Sequence, residues 1–542
     1  MKVFSEAKVK LQSGMTAPRG EIRAMSSRVW GIALLIGLAV LGCKLDKSGG
    51  APRAENDDVI TAKETPVTIA VLANDTDPDG GTLTVTAVSK PVRGQAVINP
   101  DQTVTYTPEA NFVGLDSFTY DVSNGETKGG AEVTIFVGSI IRVSVASDGT
   151  EGAGSSYMVS FSANGRYMVF DSDAPNLVPK DTNDTNDVFM HNLQTTKTTR
   201  ISVASDGTQG NEASYSPSIS ADGRYVVFTS DASNLVSGDT NGKADIFMYE
   251  LETGKTTRVS VASDGTQGNE ASYSPSISAD GSYVVFYSFA SNLAPGDTNG
   301  KADIFLYERE TGKTTRVSVA SDGTQSNEGS YAPSISADGR YVVFYSFASN
   351  LVPNDKNRAS DIFVHERETG KTTRVSVASD GTESNYGSHS PSISVDGRYV
   401  AFDSYASNLV PGDTNLTDDI FVYDRQTGKT TRVSVASDGT QSTDGSYWPL
   451  ISADGRYVTF YSSASNLVPG NSNGTSNILV HDQQTGKTTR FNVAEDGTQS
   501  TDGSYWPSFN ATGRYVAFTS EASNLVQGDT NHAWDIFVTV NK

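Results

Sequence analysis

The sequence predicts an all-β chain, a small sandwich followed by a seven-bladed β-propeller, and three observations carry that expectation. Text beginning Arg200-Ile-Ser-Val-Ala-Ser-Asp-Gly-Thr returns at Arg258, Arg316, Arg374, Arg432 and Arg490, each 58 residues after the last, with a partial copy at Arg142. A strict period of this size marks a ring or array of supersecondary units. The composition, with 50 Gly and only 36% hydrophobic residues, and the near absence of helix-period patterning after residue 42 suit many short strands joined by turns. Finally, a three-strand block occurs seven times and the last copy, Asp535-Ile-Phe-Val-Thr-Val540, stops without a fourth strand, whereas Ile140-Ile-Arg-Val-Ser-Val-Ala146 is a fourth-strand sequence with no block before it. That offset closes a ring; a solenoid would leave both ends as open edges.

The 542 residues are too many for one core, so two unequal domains are expected behind a leader: residues 1–42 a signal peptide, 43–56 a tether, 57–138 a sandwich and 139–542 the propeller. Arg28 precedes the apolar run Val29 to Gly42, about 14 residues, which suits a signal segment and falls short of the ~20 that a spanning helix needs. The run ends in Val40-Leu41-Gly42-Cys43, which resembles the lipobox of bacterial lipoproteins; the resemblance implies that Cys43 is acylated and leads the mature chain, with Met1, Met15 or Met25 as the start.

In the second segment, Leu83-Thr-Val-Thr-Ala-Val88 and Ala131-Glu-Val-Thr-Ile-Phe-Val137 are apolar on every second residue, as a half-buried antiparallel sheet requires. The runs Val71-Leu-Ala-Asn-Asp-Thr-Asp-Pro-Asp-Gly80 and Thr107-Pro-Glu-Ala-Asn-Phe-Val-Gly-Leu-Asp-Ser-Phe-Thr-Tyr120 resemble bacterial Ig-like, cadherin-like domains. Asp75, Asp77 and Asp79 suit either a Ca2+ loop or an Asx/Pro/Gly turn.

Within a repeat, Pro217–Ser220 reads as a first strand, Ala221-Asp-Gly-Arg224 as a turn, Tyr225–Phe228 as a second strand covered on both faces, Asp245–Tyr249 as a third and Thr257–Ala262 as an outer strand with one solvent side. The pattern Ser-Pro-Ser-Ile-Ser-Ala-Asp-Gly-Arg-Tyr-Val-Val-Phe, then Asp-Ile-Phe-x-Tyr, resembles the WD-like propeller repeats of the TolB type, which implies a binding role in the bacterial envelope, although the fold also serves as the non-catalytic half of some peptidases.

Two loops should share one face. One carries Asp181/Asn183/Asp187, Asp239/Asn241/Asp245, Asp297/Asn299/Asp303, Asp355/Asn357/Asp361, Asp413/Asn415/Asp419 and Asp529/Asn531/Asp535, with Asn471, Asn473 and Asn477 in the sixth blade. Alternating oxygen side chains suit Ca2+ without matching an EF-hand, and they equally suit loops bonded to their own backbone; no cofactor is required. The other loop is expected to carry Glu212/Tyr215, Glu270/Tyr273, Glu328/Tyr331, Asp444/Tyr447/Trp448 and Asp502/Tyr505/Trp506 towards the axis, an acidic and aromatic funnel for a protein or glycan partner.

The formal net charge is -22, and residues 1–42, with six Lys/Arg against two Asp/Glu, contribute +4, leaving -26 from Cys43 onward, a balance that argues against nucleic acid as a partner and allows cations or basic surfaces. A single cysteine excludes an internal disulfide framework. His191, His365 and His481 share the strand position of Tyr249 and read as packing residues, and no nucleophile elbow, phosphate loop or zinc motif stands out. The clearest breaks in the repeat are His389 with Tyr386 and the Trp448/Trp506 pair, and neither adds an acid–base couple in the sequence. The reading is therefore a monomeric, lipid-anchored, non-enzymatic envelope protein that binds through its loop face, with a glycosidase or lyase using funnel carboxylates as the alternative.

Overall fold

The computed structural model describes residues 50–471 and 473–541; the leader, the lipobox and Cys43 lie outside the described residues. The described elements are all strands. Seven form a sandwich: β1 (Asp57–Thr61), β2 (Val67–Ile69), β3 (Thr84–Val88), β4 (Gly94–Ile98), β5 (Val104–Pro108), β6 (Gly114–Ser123) and β7 (Lys128–Val137). One sheet has the order β1-β7-β6-β3, with β1 parallel to β7, and the other β2-β5-β4. Their inner faces bury Val104, Tyr106, Phe118, Tyr120, Val133 and Ile135 at alternate positions along their strands, as the pattern of 131–137 predicts for the last two. The segment 50–56, expected as tether, is instead bonded to the sandwich: Arg53 and Thr76 exchange backbone hydrogen bonds of 2.8 and 2.9 Å, and the Glu55 N–H donates to Asp75 at 2.8 Å.

Seven four-stranded sheets follow. Blade 2 is representative, with an inner strand Ser214–Ile219, then Tyr225–Ser230, Asp245–Glu250 and an outer strand Lys255–Arg258. The middle strands are fully buried at Val226, Val227, Phe228, Ile246 and Phe247 because neighbouring blades cover both faces. The Asp-Gly-Arg turn needs glycine for two reasons: Gly223 has φ of 75°, and a Cβ there would come within 2.7 Å of Tyr167 in the preceding blade.

The outer strand is shorter than expected. After Arg258 the chain turns inward, with the Val259 N–H bonded to Ile246 O at 2.7 Å, and Ser260, expected on a solvent side, is buried. Its Oγ donates to Asp245 Oδ1 at 2.5 Å and accepts the Ile246 N–H at 3.0 Å, because a buried carboxylate must be satisfied by donors.

The ring closes as the strand count requires. The seventh blade has three C-terminal strands, ending in Asp535–Val540, and its fourth is β8 (Ile140–Arg142), paired antiparallel as Arg142 with Phe537 and Ile140 with Thr539. A second closure lies near the axis, where the N–H of Ala163 donates to Ala221 O, Ala221 to Ala279, Ala279 to Ala337, Ala337 to Val395, Val395 to Ala453, Ala453 to Ala511 and Ala511 back to Ala163, at 2.9 to 3.3 Å. Only Gly138 and Ser139 separate β7 from β8, and the sandwich is docked on the ring: Phe136 stacks on Tyr515 at 5.7 Å, the Leu115 N–H donates to Leu193 O at 3.0 Å, and Arg514 pairs with Asp58 at 2.7 Å.

Candidate functional site at the channel mouth

Each inner strand carries a bulge just after its aromatic residue; in blade 2 the register with the second strand slips between Tyr215 and Ser218. At the slip sits one residue in the left-handed region: Met158, Ser216, Ser274, Ala332, Ser390, Trp448 and Trp506 have φ between 47° and 56°. Six of the seven precede a proline, which disfavours helical backbone, so the conformation is held by its surroundings. The bulge rotates these residues to line a cavity of about 550 Å³ on the axis, on the loop face, a volume within the range of small-ligand sites.

The lining is uneven around the ring. Trp506 stands 6.0 Å from Trp534, which lies 5.6 Å from Tyr505 and 6.4 Å from Tyr157, so four aromatic rings make a cluster between the seventh and first blades. Trp448 is 40% exposed, an unusual placement for the largest side chain. Across the ring, Tyr287, Tyr331 and Tyr345 line the same cavity, and Phe289, Phe347 and Tyr405 stand exposed beside it. The positions equivalent to these last three are Asp173, Asp231, Ser463 and Glu521 elsewhere, so at this position blades 3 to 5 are aromatic where the other four are polar.

Blade 5 departs furthest from the repeat. His389 Nε2 lies 2.8 Å from Ser360 Oγ, its ring meets Tyr345 edge-on at 5.2 Å, and Asp403 is its cross-strand partner. Burial lowers the His389 pKa, opposed by the charge of Asp418. Asp403 is buried, one of its carboxylate oxygens has no partner, and desolvation pushes its pKa up to about 7. Asp171, at the same strand position in blade 1, is pushed up to about 8 by burial while accepting the Ser216 N–H at 3.2 Å. The groups nearest His389 are thus Ser360 and Asp418, from positions just before the third strands of blades 4 and 5, which sequence distance conceals.

The Asp/Asn loops form a different arrangement. In blade 2, Arg258 at the end of the outer strand reaches Asp239 at 3.3 Å and Asp245 at 3.5 Å, and Gln267 Nε2 donates to the same two carboxylates at 2.8 and 3.2 Å. The corresponding pairs are Arg200 with Asp181 and Asp187, Arg316 with Asp297 and Asp303, Arg374 with Asp355 and Asp361, Arg432 with Asp413 and Asp419, and Arg142 with Asp529 and Asp535. Asn241 Nδ2 donates to Gly268 O at 2.9 Å and to Asp245 at 3.1 Å, and Asn183, Asn299, Asn357, Asn415 and Asn531 likewise donate to the following loop. In these six blades the chain's own guanidinium faces the paired carboxylates.

In blades 4 and 7 the glutamine is a glutamate, so three carboxylates surround one arginine: Asp355, Asp361 and Glu383 about Arg374, and Asp529, Asp535 and Glu151 about Arg142. Burial and the neighbouring aspartate push Asp355 and Asp529 up to about 6, whereas Glu151, despite burial, is held down to about 2 by bonds from Thr530 and by Arg142.

A family model described as a bacterial Ig domain matches residues 49–136. No curated protein matches the chain. Among solved structures, the chain is similar to a TolB-type protein of Agrobacterium tumefaciens (17% identity, 52% of this chain and 80% of that one, TM-score 0.33) and to the periplasmic gluconolactonase of Pseudomonas aeruginosa (15%, 74% and 95%, TM-score 0.32). It is also similar to a glycoside hydrolase of Niastella koreensis (9%, 83% and 71%, TM-score 0.26). At these scores the propeller assignment rests on the strand pairing above.

The predicted funnel residues divide. Tyr331, Trp448 and Trp506 line the cavity, with His389. Tyr215, Tyr273, Tyr447 and Tyr505 are half-buried in the inner strands behind it, with the Tyr273 ring 5.5 Å from that of Tyr287 and tilted by 36°. The acids do not converge on the axis: Glu212, Asp444 and Asp502 are exposed on the loops, and Glu270 and Glu328 pair with Lys243 and Lys301 at 2.9 and 2.8 Å. Sequence reasoning missed the ring of residues preceding proline, although a proline at a fixed place inside a strand is itself a signal of a bulge. His191, His365 and His481 are buried, each bonded to an outer-strand threonine at 2.9 to 3.0 Å. In the Ig domain, Asp77 and Asp79 accept backbone N–H groups of Gly81 and Gly50, and Asp75 accepts the Tyr120 hydroxyl at 3.0 Å.

Proposed function

We propose that this is a non-enzymatic binding module of the bacterial envelope, tethered by lipid on Cys43, that takes a protein loop or a glycan end into the channel mouth. The observation that supports it most is the aromatic surface left open there, with Trp448 exposed on backbone that an L-residue rarely adopts. Aromatic side chains give large contact area at little entropy cost, and a few such anchors dominate most interfaces. Trp448→Ala and Trp506→Ala should each weaken capture of partner from an envelope extract or a glycan array by about 30-fold, the effect of losing ~2 kcal/mol at an anchor. Arg224→Ala, on the opposite turns, should leave capture unchanged. Equal loss in all three variants would refute this use of the mouth.

A second reading, a glycosidase or lyase, draws support from the His389, Asp403 and Asp418 grouping, since groups with displaced pKa values gather at catalytic sites. Turnover of a glycan by purified protein, abolished by His389→Ala or Asp403→Asn with folding intact, would establish it in place of the first.

A further inference from the structure

The arginine belts differ in charge from blade to blade, and blade 6 stands alone. Five blades surround the arginine with two aspartates or more of their own loop and strand, and the seventh does so with Arg142 supplied by β8. In blade 6 both aspartates are amides, Asn471 and Asn477, the serine equivalent to Ser260 is Asn492, and Gln499 keeps the glutamine position. Arg490 is retained. Among the described residues no carboxylate lies within ion-pair distance of it, and its Nε and Nη1 are buried without a hydrogen-bond partner.

The amides do not compensate. Asn477 Nδ2 donates to Asn471 Oδ1 at 3.0 Å and to Thr475 O at 2.8 Å, and Asn492 Nδ2 donates to Asn477 Oδ1 at 3.1 Å, so these three side chains satisfy one another. Gln499 Nε2, held in blade 2 by two carboxylates, retains one long contact of 3.4 Å to Asn471. A guanidinium cannot shed its charge near neutral pH, and with two of its nitrogens enclosed the half-buried Arg490 carries that charge partly desolvated and without a counter-ion. Loss of a single aspartate would leave one pair intact; here both are gone while the cation stays.

We propose that Arg490 and Gln499 form a binding site for a small monovalent anion, which supplies beside the guanidinium the negative charge that aspartate carboxylates supply in the other blades. One negative charge neutralises the site, and the donors, a guanidinium edge and an amide N–H, suit a halide or a carboxylate. In blade 1 a cleft is lined by the equivalent Arg200 together with Asn183 and Gln209.

The test is thermal unfolding of the full chain at fixed ionic strength, replacing methanesulfonate by chloride, bromide or acetate, for the wild type, Arg490→Met and Asn471→Asp/Asn477→Asp. The wild type should gain melting temperature saturably, on the order of 2 °C at high occupancy. The double variant, which restores the carboxylates, should melt higher in methanesulfonate and lose the anion response, and Arg490→Met should lose the response too. Crystals soaked in bromide should show anomalous scattering beside Arg490. A response to acetate without one to halides would identify the anion as a carboxylate, as from a partner side chain. An identical anion response in all three proteins, or none in the wild type together with no bromide at Arg490, would overturn the site.

Discussion

The closing strand must hold the ring without help from chain connectivity, and its sequence shows how. In blade 2, Phe247 pairs with Arg258 across 11 residues, whereas Arg142 and Phe537 are 395 residues apart. Loop-closure entropy grows as (3/2)RT ln n, so the ratio 395/11 makes the last pairing about 3 kcal/mol costlier than the others. The six continuous blades carry Thr-Thr before the arginine, as at Thr256-Thr257, while β8 carries Ile140-Ile141. Both isoleucines are buried, Ile141 against Phe161 and the sandwich residue Leu115, and Ile140 against Phe518 and Phe537. Restoring the repeat's threonines should therefore open the ring. Each Ile→Thr change removes buried carbon and buries a hydroxyl, about 2 kcal/mol, and because the two side chains enter different clusters the double variant should lose about 4 kcal/mol. Urea unfolding gives the loss, and hydrogen exchange should show the amides of Asp535–Val540 deprotected while those of Asp303–Glu308 are unchanged. A loss under about 1 kcal/mol, or uniform exchange in the two strands, would refute closure by β8.

Two further outcomes follow from the buried charges. Asp171 and Asp403 have pKa values of about 8 and about 7 in the folded chain against an ordinary 3.8, so the folded state holds more protons and stability should fall as pH rises from about 4 to 8. Asp171→Asn should flatten that fall in a melting-temperature series, and an unchanged slope would show that Asp171 is ionised when folded. Arg258→Met strips the counter-ion from Asp239 and Asp245 and should cost about 3–5 kcal/mol, partly restored by millimolar Ca2+ that now finds a free pair of carboxylates. Saturable Ca2+ heat in the unaltered protein, lost on Asp239→Ala, would contradict the arginine's occupancy.

Much of the architecture is legible because a strict repeat converts one reading into seven, and because the missing last strand and the orphan first strand are complementary text. What the repeat hides is local. The inner strand reads as Pro217–Ser220 because proline looks like a start, but the strand begins at Ser214 and the proline marks a bulge. The Asp-x-Asn loops read equally as Ca2+ loops or as self-bonded turns because their partner Arg258 lies 13 residues beyond Asp245 and is brought back only by the hairpin. His389, with Tyr386, reads as a break without an acid–base couple, since Ser360 and Asp418 come from other loops. Sequence alternation identifies which side chains are inside; it does not say which buried polar groups face each other.

The two-residue connection between β7 and β8 has a mechanical meaning. If the chain is held at its N-terminus and pulled through whatever the ring grips, tension enters the propeller at the one strand that is not covalently continuous with the rest of its blade. That strand is the natural place to peel. The docking of Phe136 on Tyr515, Leu115 on Leu193 and Asp58 on Arg514 runs beside it as a second load path, so force is shared between the sandwich surface and the seam. Residues far from any ligand would in this way set how hard the protein can be pulled before its ring opens.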